Sequence, residues 1–282
     1  MPRAIAGHNA AVIAPWQFTA PPSRPRHPEV VLFAFGRGPL RSGVELSMSR
    51  FGAPTADSLA RCDARTIERA ADPAWFDAWR SGSLRSIAEK DLGASLATLY
   101  AADHVSIVQC SPGAVADLTY LQAAWAMVRF LVARGAEVVL DAHAMSFRTA
   151  DQVQPAGEEL DIRREVSVIY ETSSTRPDHA HALHTRGMRK FGAPDLVALC
   201  TDADVPLVAH AVTELADTVA RGTDLATPKH AVEIAPGIRW VAIEDQHRLG
   251  ELLQLNNEAR VIVDESGHDL MGVLARLPRA VS

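Results

Sequence analysis

Four of the chain's eleven histidines fall between positions 143 and 184: His143, His179, His181 and His184. Asp141-Ala142-His143 follows an apolar run that reads as a strand, and residues two apart on a strand face the same way. Asp141 with His143, and His179 with His181, would then make two same-face pairs, while His184 points to the other face. Carboxylate and imidazole are ligands for zinc, iron or manganese, and a missing fourth protein ligand leaves a position for water. Asp141, His143, His179 and His181 are therefore the candidate divalent-metal site. No HxxxH, HExxH or facial-triad spacing accompanies them. The competing reading is a set of polar residues on strand edges and at a hairpin tip.

The second cluster is His184-Thr185-Arg186-Gly187-Met188-Arg189-Lys190-Phe191-Gly192-Ala193-Pro194-Asp195-Leu196. It concentrates imidazole, two guanidiniums and an ammonium in a chain that is acidic overall. Gly187 permits close approach or positive φ, and Gly192 with Pro194 sets a turn. If residues 187–191 form one helical turn, Arg186 shares a face with Arg189 or Lys190 and the pair could hold a carboxylate or phosphate. His184, Arg186, Arg189, Lys190 and Asp195 are the candidate ligand-binding residues. The structural alternative pairs Arg186 with a buried Asp195 or Glu165 and fixes a hairpin against a sheet.

The segment from His184 to Leu196 resembles the HTRGMxKFGxPDL signature of an uncharacterised bacterial domain-of-unknown-function family. Leu121-Gln122-Ala123-Ala124-Trp125 and Val139-Leu140-Asp141 are similar as well, so the likeness covers roughly residues 105–222. The resemblance implies a compact α/β bacterial cytosolic protein and marks 184–196 as the family's feature. It brings no activity with it.

The elements that must position these residues are legible in the apolar pattern. Val30-Val31-Leu32-Phe33-Ala34-Phe35 is a continuous run ended by Gly36-Arg37-Gly38-Pro39, the profile of a buried strand. Residues 44–48 offer a short partner strand. Residues 55–101 read as helical, with Thr55 or Asp57 as a first cap and Asp72-Pro73 opening a second segment. The strongest unit is residues 103–141. It is a strand at 105–108, a helix carrying Leu118, Leu121, Trp125, Val128, Leu131 and Val132, a Gly135 stop, and a strand at 136–141. Strand, crossover helix and strand predict a right-handed βαβ unit with parallel neighbours. Residues 164–171 and 179–185 read as an antiparallel hairpin. A strand at 196–199 leads to a helix capped by Asp202 or Asp204 and ended by Gly222. Residues 232–234, 240–243 and 261–263 form a β-rich end. The expected fold is α+β, a mixed sheet with helices packed on it. Pro15, Pro21, Pro22, Pro25 and Pro28 make residues 1–29 an extended or disordered Pro-rich arm ahead of a single 30–282 domain.

Composition bounds the function. The chain has 282 residues, 48% hydrophobic and 22% charged, with 28 Lys plus Arg against 34 Asp plus Glu, a net charge of −6. That balance disfavours non-specific nucleic-acid binding. No apolar run approaches the ~20 residues of a membrane span. Cys62, Cys110 and Cys200 are few, odd in number and without a CxxC spacing, which fits a reduced cytoplasmic protein. Cys110 and Cys200 each close an apolar run and read as buried thiols. No GxSxG, Walker A, GxGxxG, kinase or zinc-finger spacing is present. The expectation is a ligand- or protein-binding module that uses residues 179–195. The alternative is a hydrolase-like or metal-dependent enzyme for an anionic small molecule, with Arg186 and Arg189 binding the anion and Asp141 and His143 as base or metal ligands.

Overall fold

A computed structural model describes residues 13–172, 181–224, 232–235, 238–246 and 248–264. Eleven strands appear among the described residues: β1 (Val30–Gly36), β2 (Cys62–Glu68), β3 (His104–Cys110), β4 (Ala136–Asp141), β5 (Ser146–Thr149), β6 (Ser167–Glu171), β7 (His181–Arg186), β8 (Asp195–Cys200), β9 (Val232–Ala235), β10 (Ile238–Glu244) and β11 (Ala259–Asp264). The helices are α1 (Met48–Phe51), α2 (Ala56–Leu59), α3 (Pro73–Phe76), α4 (Gly82–Leu92), α5 (Leu96–Tyr100), α6 (Thr119–Ala133), α7 (Ile162–Glu165), α8 (Val205–Ala220) and α9 (Leu249–Leu252).

The strands form two sheets rather than the one expected. The first runs β2-β3-β1-β4-β5 and is antiparallel throughout; the second runs β6-β7-β8-β11-β10-β9 and contains one parallel pair, β8 with β11. The fold is α+β. The strand–helix–strand of β3, α6 and β4 is present, but its strands are not neighbours. β1 lies between them, antiparallel to both. A strand from seventy residues upstream takes the central place because its continuous apolar run can bury both faces. Val30, Leu32 and Ala34 enter the main core, while Phe33 and Phe35 pack against the layer of α3, α4 and α5.

The main core joins the inner faces of both sheets and encloses α6 and α8, with Trp125, Tyr120 and Trp240 at its centre. A second cluster lies under α3–α5, where Phe76, Trp79, Leu92 and Leu99 cover the outer face of the first sheet. Trp79 makes a T-shaped contact with Phe35. The helical reading of residues 55–101 is corrected at β2. Its residues are mostly exposed and polar because it is an edge strand, so locally they imitate a solvated helix face. What makes them a strand is the ladder to β3, forty residues away, including the Thr66–Ser106 hydroxyl pair at 2.8 Å. Residues 44–48 form no strand. Asp204 sits at the N-terminus of α8 without capping it; its carboxylate instead accepts from the Thr201 hydroxyl at 2.6 Å.

Residues 13–29 are packed more closely than an arm. Trp16 is buried, its backbone N–H donating to Gln122 Oε1 at 3.0 Å and its indole N–H to the Glu158 carbonyl at 3.0 Å. Gln122 in turn donates to the Ala14 carbonyl at 2.9 Å. The segment is a strap across α6. No described helix is long and apolar enough to cross a membrane.

Candidate functional site

The residues singled out at 141 and at 184–195 converge, through a buried ion network. Lys190 is wholly excluded from solvent. Its ammonium donates to Asp141 Oδ2 and, at 2.6 Å, to Glu165 Oε2. Trp125 Nε1 of α6 donates to the same Glu165 oxygen at 3.1 Å. Arg148 of β5 lies 3.8 Å from Glu165 Oε1, with its guanidinium 4.9 Å above the Trp125 ring. Two cations thus face two carboxylates, a balanced set, which is the condition for charges to tolerate a low-dielectric interior. Burial alone would raise the Asp141 carboxyl. The charges of Lys190 and Arg148 and the Ala144 N–H outweigh it and hold the group below the ordinary carboxylate value.

The network bolts the two sheets together. Asp141 and Arg148 belong to the first sheet, Lys190 to the turn between β7 and β8 of the second, and Glu165 to α7 between them. That turn, Met188–Phe191, is a 3-10 segment. With three residues per turn, adjacent positions lie about 120° apart, so Arg189 and Lys190 point to different sides. Arg189 and Arg186, the last residue of β7, reach the same outer segment: Arg186 donates to the carbonyls of Leu253 and Gln254, both at 3.3 Å, and Arg189 to that of Asn256 at 2.9 Å and to the Glu29 carboxylate. Lys190 turns inward instead. The expected pairing of Arg186 with Asp195 or Glu165 is therefore corrected: Glu165 is taken by Lys190, and Asp195 by its own turn.

Asp195 Oδ1 accepts from Thr185 Oγ1 at 2.9 Å and from the Met188 N–H at 3.4 Å, and the Leu196 N–H donates to Thr185 Oγ1 at 2.8 Å. Burial pushes the Asp195 carboxyl up to about 6, against the hydrogen bonds of Asn257, Thr185 and Met188. A carboxyl whose pKa is higher folded than unfolded binds its extra proton in the folded state. Its contribution favours folding at low pH and is lost as pH rises through about 6. Urea unfolding of the wild type and of Asp195→Asn at pH about 5 and about 7.5 checks this. The variant gains on the order of 1 kcal/mol relative to wild type across that interval, and equal slopes would mean that Asp195 is ionised throughout.

The metal-site residues are dispersed. Asp141 is occupied by Lys190, and its other oxygen accepts from the N–H groups of His143 and Ala144 at 3.1 and 3.0 Å. His143 is thus in the β4–β5 turn, not on a strand face with Asp141. His181 pairs with Asp202 at 3.2 Å and lies against the Tyr170 ring in a tilted contact, centroids 5.2 Å apart. His179 lies outside the described residues. Among the described residues, no three His, Cys, Asp or Glu side chains converge to hold a metal ion. His184 is buried, held by Glu171 at 3.1 Å, and burial lowers its pKa despite that partner.

A pocket of about 170 Å³ opens where the Gly192–Leu196 end of the segment meets the strap. Arg24, Arg26 and Arg260 line it together with Ser23 and Asp224, whose carboxylate accepts from the Ser23 hydroxyl at 2.9 Å. Arg26 is the unusual member. It is buried and donates to the carbonyls of Val219 at 2.7 Å, Thr223 at 3.3 Å and Phe191 at 3.4 Å. No carboxylate lies within ion-pair distance of it among the described residues, and burial lowers its pKa. Arg260 is partly neutralised by Glu258 at 3.0 Å and Glu244 at 3.6 Å. No protein-family model, curated protein or solved structure matches this chain.

The sequence reading missed Arg148, Arg26, Arg24 and Arg260. Arg26 carried a weak signal, a lone cation between Pro25 and Pro28 in a strap. The others carried none, because their partners lie far away along the chain.

Proposed function

We propose that the protein is a binding module that seats an anionic group, a phosphate or carboxylate, in the pocket between residues 22–26 and the Gly192–Leu196 turn. One observation carries this reading. Arg26 is a buried guanidinium hydrogen-bonded only to neutral carbonyls, and the Asp224 carboxylate offsets its charge only from beyond ion-pair distance, so an anion arriving at this pocket wall relieves part of the cost of burying it. Arg24, exposed at the mouth, and Arg260 add reach. At about 170 Å³ the space is below the range of drug-sized sites. It suits one small anion or the anionic end of a larger ligand or partner protein. Residues 184–195 serve this module chiefly by fixing the turn that forms its wall. His184, Arg186, Arg189, Lys190 and Asp195 then support binding from behind rather than touching the ligand.

Thermal unfolding with inorganic phosphate, acetate and citrate tests the reading. Near 100 times Kd, a ligand stabilises by about 2.7 kcal/mol, a rise of several degrees. Arg24→Ala and Arg260→Ala remove that rise while unliganded Tm changes little. The absence of any anion-dependent shift in the wild type overturns the proposal. The alternative of an enzyme for an anionic small molecule draws on His143, whose two ring nitrogens have no hydrogen-bond partner among the described residues beside Asp141 and Lys190. Turnover of a phosphate ester that disappears in His143→Ala but survives in Arg24→Ala would favour it.

A further inference from the structure

Cys62 and Cys110 are directly opposed in the register of β2 and β3. Four residues along the same ladder, Thr66 and Ser106 are also directly opposed, and their hydroxyls meet at 2.8 Å. Side chains alternate with period two, so the two cysteines project from the same face as that hydroxyl pair and toward one another. Opposed residues of an antiparallel pair have Cα atoms roughly 4.5–5.5 Å apart, inside the range of about 4.4–6.8 Å that a disulfide spans. Both thiols are free, Cys110 buried and Cys62 partly exposed on the edge strand.

We propose that Cys62 and Cys110 are an oxidation site, closed by a hydroperoxide into a cross-strand disulfide that staples β2 to the first sheet. The hydroperoxide meets the partly exposed Cys62: its sulfur takes the terminal oxygen, the O–O bond breaks, and sulfenic acid and one water (or alcohol) result. The Cys110 sulfur then attacks the Cys62 sulfur. The S–S bond forms, the S–O bond breaks, and the departing hydroxide takes up the Cys110 proton as water. Two thiols are oxidised by two electrons and the peroxide is reduced by two.

Exposure rather than thiol acidity selects Cys62 for the first step, and the local electrostatics bear on the second. The Cys62 thiol, together with the Arg61 guanidinium and against the effect of burial, holds Cys110 below the ordinary thiol value. The same contact, with burial, pushes Cys62 up. Cys110 is therefore the better nucleophile of the pair, which is the role of the second step. The loop that closes runs from 62 to 110 and carries α3, α4 and α5, whose Phe76, Trp79, Leu92 and Leu99 cover the outer face of the sheet. Closing it removes freedom from the unfolded chain, so oxidation tightens the fold.

The full-length protein, treated with hydrogen peroxide and mapped without reduction, is expected to yield a Cys62–Cys110 peptide pair. Its Tm is expected to rise by roughly 5–15 °C over the reduced form and to return on adding dithiothreitol. Cys200→Ser keeps this behaviour and Cys62→Ser loses it. Cys110→Ser exposes the first step, since a sulfenic acid on Cys62 then persists and is trapped by dimedone. Separate alkylation of Cys62 and Cys110 after peroxide treatment of the wild type overturns the proposal. So does an intermolecular Cys62 disulfide, or a lower Tm in the cross-linked form.

Discussion

Lys190→Met lowers stability by about 3–5 kcal/mol, because it leaves Asp141 and Glu165 as buried carboxylates without their shared cation. For a protein of this size that is a fall in Tm of roughly 10 °C. The size of the effect comes from what stays behind rather than from what is removed. Asp141→Asn and Glu165→Gln in the same chain discharge both orphans, and Asn retains the oxygen that accepts from the His143 and Ala144 N–H groups. The triple variant should therefore recover part of the loss, since both orphaned carboxylates are discharged while Arg148 is left without its carboxylate partner. Urea unfolding of the single and triple variants measures the difference. A Lys190→Met protein within about 1 kcal/mol of wild type would mean that the network contributes nothing to the fold. Asp141, held below its ordinary pKa, adds a pH signature: its stabilisation is present above the unfolded-state value and is lost as pH falls through the folded one.

Gly187→Ala should be nearly as costly, by about 2–5 kcal/mol. Gly187 has φ +110°, a region L-residues with a Cβ rarely adopt, and an added Cβ would lie 2.5 Å from the Glu165 carbonyl oxygen. That oxygen is backbone, so it cannot swing aside. The clash moves α7, and with it the carboxylate that binds Lys190. Gly113→Ala separates the two contributions, since Gly113 has φ +77° with nothing within 4 Å of the added atom. It should show the conformational cost alone, about 1 kcal/mol. Equal losses at the two positions, in thermal or urea unfolding, would remove the steric part of the argument.

Asp141 and Lys190, one member of each cluster read from the sequence, meet in the structure, for a reason no local pattern carries. Asp141 was placed at the end of a strand and Lys190 on a helical turn, and both placements hold. Their meeting depends on both sheets contributing to one core, α6 packing on the first sheet and α8 on the second. Lys190 turns inward from the 3-10 segment at residues 188–191 while its neighbour Arg189 turns outward. Glu165 reads in the sequence as a candidate buried partner of Arg186; in the structure it is buried against Trp125 and is the second partner of Lys190 instead. The pocket was hidden for the same reason, being formed by residues near 24, 193 and 260 that only the tertiary fold assembles.

Local pattern by itself determined the strands β1, β3, β4 and β8, the helices α6 and α8, the β6–β7 hairpin and the turns at Gly187 and Gly192. In each, apolar period or glycine punctuation acts between residues a few positions apart. The tertiary structure alone decided that β1 separates β3 from β4, that residues 62–68 are an edge strand, and that Lys190 is buried between two carboxylates. Those outcomes depend on contacts across twenty-five or more residues, where burial and charge pairing outweigh local preference.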